Sequence, residues 1–165
     1  MQRPARRLNR LVLSLSAILI AATQFSGPAF AANPFDPFVG EWRGDGVVVT
    51  DEGEQAALRC TVEFIDENGE RASQVLRCAT TGAVLIINSS MRIESGSLVG
   101  SWSNDRGNRG GLSGSIGDGA INVQLGGDEV DATMSTVRDG CRMNVSVDGK
   151  LAGITDLNIS LANGC

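Results

Sequence analysis

The chain contains no histidine, and this absence disfavours several classes of enzyme. Serine-histidine-aspartate and cysteine-histidine arrangements both use an imidazole as the general base. A zinc site is disfavoured as well, because the chain also lacks a Cys-x-x-Cys pair. Most acidic residues lie beside glycine or asparagine, where aspartate favours turns for backbone reasons. The sequence therefore predicts a protein that is not an enzyme and carries no metal or cofactor.

Aromatic residues and proline are scarce. Tyrosine is absent, and only two tryptophans and three phenylalanines follow residue 31. Outer-membrane β-barrels carry aromatic girdles at both membrane interfaces, so this composition favours a soluble protein. Proline does not occur after Pro37, which suits a sheet whose strands are mostly paired on both sides.

Positive charge is also limited, and four of the fourteen basic residues lie within residues 3–10. An apolar run follows at residues 11–22, and then small residues at Ala29 and Ala31. This is the three-part pattern of a cleavable signal peptide. The apolar run is shorter than the ~20 residues needed to span a bilayer. We therefore expect residues 1–31 to be removed, leaving a periplasmic or secreted protein that does not span a membrane.

Cleavage after Ala31 would leave 134 of the 165 residues, the size of one domain. We assign residues 32–38 to an N-terminal arm and residues 39–165 to a single β domain. Ten basic residues would then face nineteen acidic ones, a net charge near −9. Such a balance opposes nucleic-acid binding, which needs a basic face. The expected partners are a small apolar ligand or another exported protein.

Apolar and polar residues alternate through most of the domain, and turn residues interrupt the pattern every eight to twelve positions. Leu58, Cys60 and Val62 share one face of a strand, for example. Arg59 and Thr61 lie on the opposite face. Alternation of period two indicates strands with one buried and one solvated side. The pattern predicts an all-β fold of about ten short antiparallel strands, either a barrel or a flattened barrel or sandwich.

Four cysteines in a chain with an export signal predict a disulfide framework. If Gly69 lies at the centre of a hairpin turn, Cys60 and Cys78 face each other across the two strands. Directly opposed residues have Cα atoms about 4.5–5.5 Å apart, within disulfide reach. We therefore predict the pair Cys60–Cys78, which leaves Cys141–Cys165 to tie the chain end to the sheet.

The first tryptophan belongs to a Gly-x-Trp motif, with Gly40 and Trp42 shortly after the arm. This motif resembles the opening motif of the calycins, the lipocalin and fatty-acid-binding group of β-barrels. The resemblance implies a barrel in which Trp42 closes one end and Gly40 lets the strand bend. The Thr-Asp-Tyr motif of lipocalins is missing, and only Arg138 or Arg142 would substitute for their late arginine.

The second tryptophan, Trp102, precedes a polar segment that we expect to be an exposed, mobile loop at residues 104–111. Its Gly-x-Trp-x-Asn stretch resembles the avidin family, in which that asparagine helps to hold biotin. Here the stretch lies mid-chain and the other tryptophans of the avidin pocket are missing, which favours coincidence. The loop also carries two arginines on an otherwise acidic chain. The candidate ligand or partner-binding residues are Trp42, Trp102, Asn104, Arg106 and Arg109.

Two functions from different classes are compatible with this sequence. A barrel with a medium-sized aliphatic interior and few aromatic residues can retain a cavity for an apolar or amphipathic small molecule. Alternatively, the chain resembles the periplasmic protease and lysozyme inhibitors, which insert a loop or an arm into a cleft, or it is a component of a cell-envelope complex. In the inhibitor hypothesis Phe35 and Phe38 enter a partner. Alternatively the arm is a tether whose phenylalanines plug the end of the barrel.

Overall fold

The computed structural model describes residues 33–151 and 153–165, so the expected signal peptide lies outside the described residues. No helix in this part of the chain is long and apolar enough to cross a membrane. Ten β-strands form within these residues. They are β1 Gly40–Thr50, β2 Gln55–Asp66, β3 Arg71–Ala79, β4 Val84–Glu94, β5 Ser97–Asn104, β6 Arg109–Gly117, β7 Ala120–Gly127, β8 Val130–Asp139, β9 Arg142–Leu151 and β10 Ile154–Ala162.

Each strand pairs antiparallel with the next along the chain, and β1 also pairs with β10, so the sheet closes into a ten-stranded barrel. In the closing ladder Gly44 faces Leu161 and Val48 faces Leu157. Closure gives every strand a partner on both sides and removes exposed sheet edges. The predicted all-β class, antiparallel pairing and strand number are confirmed, and the barrel is the architecture adopted.

The interior follows the alternation seen in the sequence. On β9, for example, Met143, Val145 and Val147 are buried, whereas Asn144 and Ser146 between them are exposed. Because side chains alternate across a strand, one residue in two reaches the core. The barrel therefore has one continuous apolar interior and a polar outer surface.

Glycines lie where neighbouring strands approach most closely. A Cβ added to Gly44 on β1 would lie 1.9 Å from the backbone oxygen of Ser160. At Gly110 on β6 the corresponding distance, to the backbone oxygen of Gly126, is 1.8 Å. No side chain fits at such distances, so only glycine lets the wall bend tightly there.

Both predicted disulfides are present. Cys60 and Cys78 are directly opposed on β2 and β3, with Cα atoms 4.1 Å apart, and both are buried in the barrel interior. Cys141 and Cys165 join the β8–β9 turn to the end of the chain and are exposed. Two disulfides are typical of proteins that fold in an oxidising compartment.

The two ends of the barrel differ. The turns that follow β1, β3, β5, β7 and β9 form one end, which we call the open end. The other end, which we call the closed end, is covered by residues 33–38. Phe35 and Phe38 are fully buried there, with ring centroids 6.4 and 5.8 Å from that of Phe64. Asn33 anchors the segment, since its Nδ2 donates to the Asp66 carboxylate at 3.0 Å. The arm therefore plugs the barrel.

Candidate functional site

A cavity of about 320 Å³ lies at the open end of the barrel. Side chains from seven strands contribute to its wall, and most are aliphatic. They include Val48, Leu58, Leu85, Ile87, Leu151 and Leu157. Exposed residues of the β3–β4 turn and the start of β4, Ala83 and Val84, also line it, so the cavity meets solvent at this edge. Its chemistry is that of an apolar pocket with a small polar rim.

The β5–β6 turn supplies the most polar part of the rim, through Asn104 and Arg106. The Asn104 side-chain oxygen accepts hydrogen bonds from the backbone N–H groups of Arg106, at 3.1 Å, and Asn108, at 2.9 Å. This is an Asx-type turn, in which the side chain fixes its own loop. The turn therefore holds both residues at the mouth of the cavity.

A second set of contacts fixes the same turn to β4. Asp105 donates its backbone N–H to the Ile86 carbonyl at 3.1 Å. Its carboxylate accepts the Ile86 N–H at 3.2 Å. The predicted mobile loop at residues 104–111 was wrong in extent, because β5 continues to Asn104 and β6 begins at Arg109. The sequence rule failed because glycines 110 and 111 continue a paired strand instead of ending one.

Trp102 lies in the wall of the same cavity and is 4% exposed. Its Nε1 donates to the Gly126 carbonyl at 3.2 Å, across β6. Its cross-strand neighbour on β6 is Gly110, which has no side chain to compete for the space. The glycine-rich β6 thus leaves room for the indole inside the barrel.

Trp42 lies at the closed end, away from the cavity. It is 1% exposed, and its Nε1 donates to the Phe38 carbonyl at 2.7 Å. The hydrogen bond satisfies both the buried indole N–H and one backbone oxygen of the plug. Trp42 therefore contributes to the closed end, in the position that the Gly-x-Trp motif implies.

Arg109 is also separate from the cavity. It pairs with Ser103 and points outward, since the adjacent cross-strand pair, Trp102 and Gly110, faces the interior. The structure thus brings together three of the five predicted residues, namely Trp102, Asn104 and Arg106. Trp42 and Arg109 lie elsewhere, because the sequence alone does not determine which end of the barrel a residue reaches.

The two arginines proposed as substitutes in the calycin resemblance are also placed. Arg138 is opposite the buried Met143 and faces the interior, whereas Arg142 is exposed. The Nε of Arg138 is buried and has no hydrogen-bond partner among the described residues.

Several lining residues were not proposed as site residues from sequence. Thr50 is the last residue of β1, Thr80 directly follows β3, and Ile154 is the first residue of β10. The only signal for them is their position at strand ends. These residues lie on strands that are distant in sequence, so short sequence motifs do not identify them as neighbours.

The charges around the cavity are unevenly distributed. Arg106 is the only charged residue in the described lining, and no carboxylate lines the cavity. Acidic residues occupy other turns of the open end. They are Asp51, Glu52, Glu54, Asp128 and Glu129. In the described part of the chain no group of three or more potential metal ligands occurs.

No known family model matches this sequence, and no curated protein matches it significantly. In fold, the barrel is similar to the crystal structure of Rv2717c from M. tuberculosis. The TM-score is 0.63 at 14% identity, over 78% of this chain and 94% of that one. At this identity the likeness concerns the fold alone.

Two designed proteins are similar at lower scores. One is a de novo designed fluorescence-activating β-barrel, with a TM-score of 0.47 at 12% identity, over 81% of this chain and 99% of that one. The other is the redesigned barrel mFAP1 bound to DFHBI, with a TM-score of 0.48 at 8% identity, over 80% and 100%. Membership of the calycins stays a prediction, whereas the antiparallel barrel is shown.

Proposed function

We propose that this chain is an exported β-barrel protein that binds an apolar or amphipathic small molecule in the open-end cavity. The observation that carries the proposal is an aliphatic cavity that meets solvent at one end while the other end is plugged. Small-molecule sites are typically concave and mostly apolar, with a few convergent polar groups. The arrangement of Asn104 and Arg106 beside aliphatic residues supports this description.

The size of the cavity limits the ligand. Its volume of about 320 Å³ lies near the lower end of the 300–1,000 Å³ that is usual for ligand pockets. Burial of apolar ligand surface would supply most of the binding free energy, at roughly 25 cal/mol per Å². A small ligand with one apolar body is therefore the expected occupant.

Export rests on two independent features. The first thirty-one residues have the composition of a cleavable signal peptide. All four cysteines form disulfides, which persist in oxidising compartments. A periplasmic or secreted location fits both features.

The first test is native mass spectrometry of the protein recovered from the extracellular or periplasmic fraction of its own host. We expect a mature chain carrying an additional mass that disappears on denaturation, consistent with one small molecule in a pocket of this size. The bare mass also reports the cleavage site. A chain recovered without any such mass, and unable to bind apolar probes, would contradict the proposal.

A pair of substitutions on β4 tests whether the cavity is the site. Leu85 lines the cavity, while its neighbour Ile86 faces outward on the same strand. We expect Leu85→Trp to fill the cavity and abolish binding of an apolar fluorescent probe. Ile86→Trp adds the same side chain outside and should leave binding unchanged. Equal effects of the two variants would place the probe elsewhere.

The alternative function, a protein-interaction module, loses one of its supports. Phe35 and Phe38 are fully buried in the barrel and are therefore not free to enter a partner's cleft. In the same mass spectra, a second polypeptide bound to the mature chain would favour the alternative.

A further inference from the structure

We infer that the ligand of the open-end cavity carries an anionic head group that accepts hydrogen bonds from the β5–β6 turn. This inference rests on the proposed function and adds the chemical class of the ligand. It follows from the hydrogen-bonding capacity that remains free at the polar rim.

The acceptor atoms of the rim are already engaged. The Asn104 Oδ1 accepts two backbone N–H groups of its own turn. The Thr80 hydroxyl accepts the N–H groups of Gly82, at 3.2 Å, and Ala83, at 3.0 Å. The Thr50 hydroxyl accepts the Glu54 N–H at 3.2 Å. A ligand group that donates hydrogen bonds would therefore find few acceptors among these side chains.

The donor groups of the rim are free. Within residues 33–151 and 153–165, no side-chain hydrogen bond involves the Asn104 Nδ2 or the Arg106 guanidinium. The ion pairs in the same residues join Arg43 to Glu41, Arg59 to Asp45 and Arg92 to Glu94, and none includes Arg106. Two N–H groups point at the Asn104 oxygen, which fixes the orientation of the amide. Its NH₂ group is consequently the part left to donate.

The sign of the charge favours an anion over the other head groups. No carboxylate lines the cavity, and the Asp105 carboxylate next to Arg106 is bound to the Ile86 N–H on β4. An ammonium group inside the cavity would therefore lie beside Arg106 without a carboxylate partner. A hydroxyl group accepts hydrogen bonds but carries no net charge to pair with the guanidinium. Charge-assisted hydrogen bonds to an anion are roughly twice as strong as neutral ones.

The inference is tested with three eight-carbon ligands that differ only in the head group: octanoate, 1-octanol and octylammonium. Isothermal titration of the mature protein should give the tightest binding for octanoate. We expect about a tenfold advantage over 1-octanol, a figure reduced from that of a buried pair because Arg106 is exposed to solvent. Octylammonium should bind most weakly.

Substitutions then assign the preference to the turn. In Asn104→Asp a carboxylate oxygen still accepts the N–H groups of Arg106 and Asn108, but the donor is replaced by a negative charge. Octanoate binding should fall by about tenfold or more, while 1-octanol binding stays within about twofold. Arg106→Gln should weaken octanoate selectively. Arg109→Gln, which removes the same charge from the outer surface, is the matched control and should have little effect.

The outcomes separate the two proposals. If 1-octanol or octylammonium binds as tightly as octanoate, the anion inference is overturned while the cavity remains the binding site. If Arg109→Gln weakens octanoate as much as Arg106→Gln, the preference reflects overall charge and the assignment to the turn is overturned. If none of the three ligands binds, the proposed function fails and this inference fails with it.

Discussion

At the scale of single residues, the wall of the barrel depends on positions that exclude a side chain. Gly110 and Gly111 are neighbours on β6, but they face opposite sides of the sheet. An added Cβ at Gly110 would lie 1.8 Å from the Gly126 oxygen, whereas at Gly111 its nearest contact is 3.9 Å away. The same substitution therefore has opposite steric consequences one residue apart.

We predict that Gly110→Ala lowers the free energy of unfolding by about 1–3 kcal/mol or more, since backbone must move to admit the methyl group. Gly111→Ala should stay within about 1 kcal/mol of the wild type, because alanine fits there and restricts the unfolded chain. Urea-induced equilibrium unfolding measures both. Similar values for the two variants would contradict the close approach of β6 and β7.

At the scale of elements, the N-terminal arm behaves as part of the core. Phe35 is fully buried against Phe64, and the Asn33 side chain connects the arm to β2. Phe38 lies between these residues and β1, and its backbone carbonyl accepts the hydrogen bond from the Trp42 Nε1. The arm and the first strand therefore form one packed unit at the closed end.

We predict that Phe35→Ala lowers the free energy of unfolding by about 3–5 kcal/mol, as expected for truncation of a buried aromatic side chain. Asp36→Ala is the control. Asp36 is exposed and loses one hydrogen bond from Asn33, so the cost should stay below about 1.5 kcal/mol. Thermal unfolding of the mature protein gives both values. A wild-type melting temperature for Phe35→Ala would refute the plug.

At the scale of the whole molecule, closure of the barrel gives the two disulfides different environments. Cys60 and Cys78 are 1% and 2% exposed inside the wall, which has no sheet edge through which it can open. Cys141 and Cys165 are exposed at the closed end. Thiol–disulfide exchange requires access of the attacking thiolate to a sulfur atom.

We predict that dithiothreitol under native conditions reduces the exposed Cys141–Cys165 bond first and the buried Cys60–Cys78 bond much more slowly. Alkylation of free thiols at successive times, followed by peptide mapping, measures the order. Addition of urea should make the two rates converge, because unfolding exposes all four sulfur atoms. Faster native reduction of Cys60–Cys78 would contradict the buried position of that pair.

Strand number, antiparallel pairing and both disulfides are local properties, and the sequence determined them. Alternation places every second residue on one face, and a hairpin centred at Gly69 opposes Cys60 and Cys78. The chemistry of the Asn104 turn is local as well, but the loop predicted at residues 104–111 is longer than the turn observed between β5 and β6.

The position of the candidate site was decided by tertiary structure. Alternation identifies the inward face, but it does not reveal that β1 pairs with β10, over a hundred residues away. That pairing closes the barrel and excludes the sandwich. Closure and the strand directions together separate Trp42 from Trp102 and place Arg106 at the cavity. Arg109 faces outward because it lies next to an inward-facing glycine. Which residues meet inside a barrel depends on pairing between strands that are distant in sequence. Local sequence patterns do not determine that pairing, because it forms only when all the strands pack together.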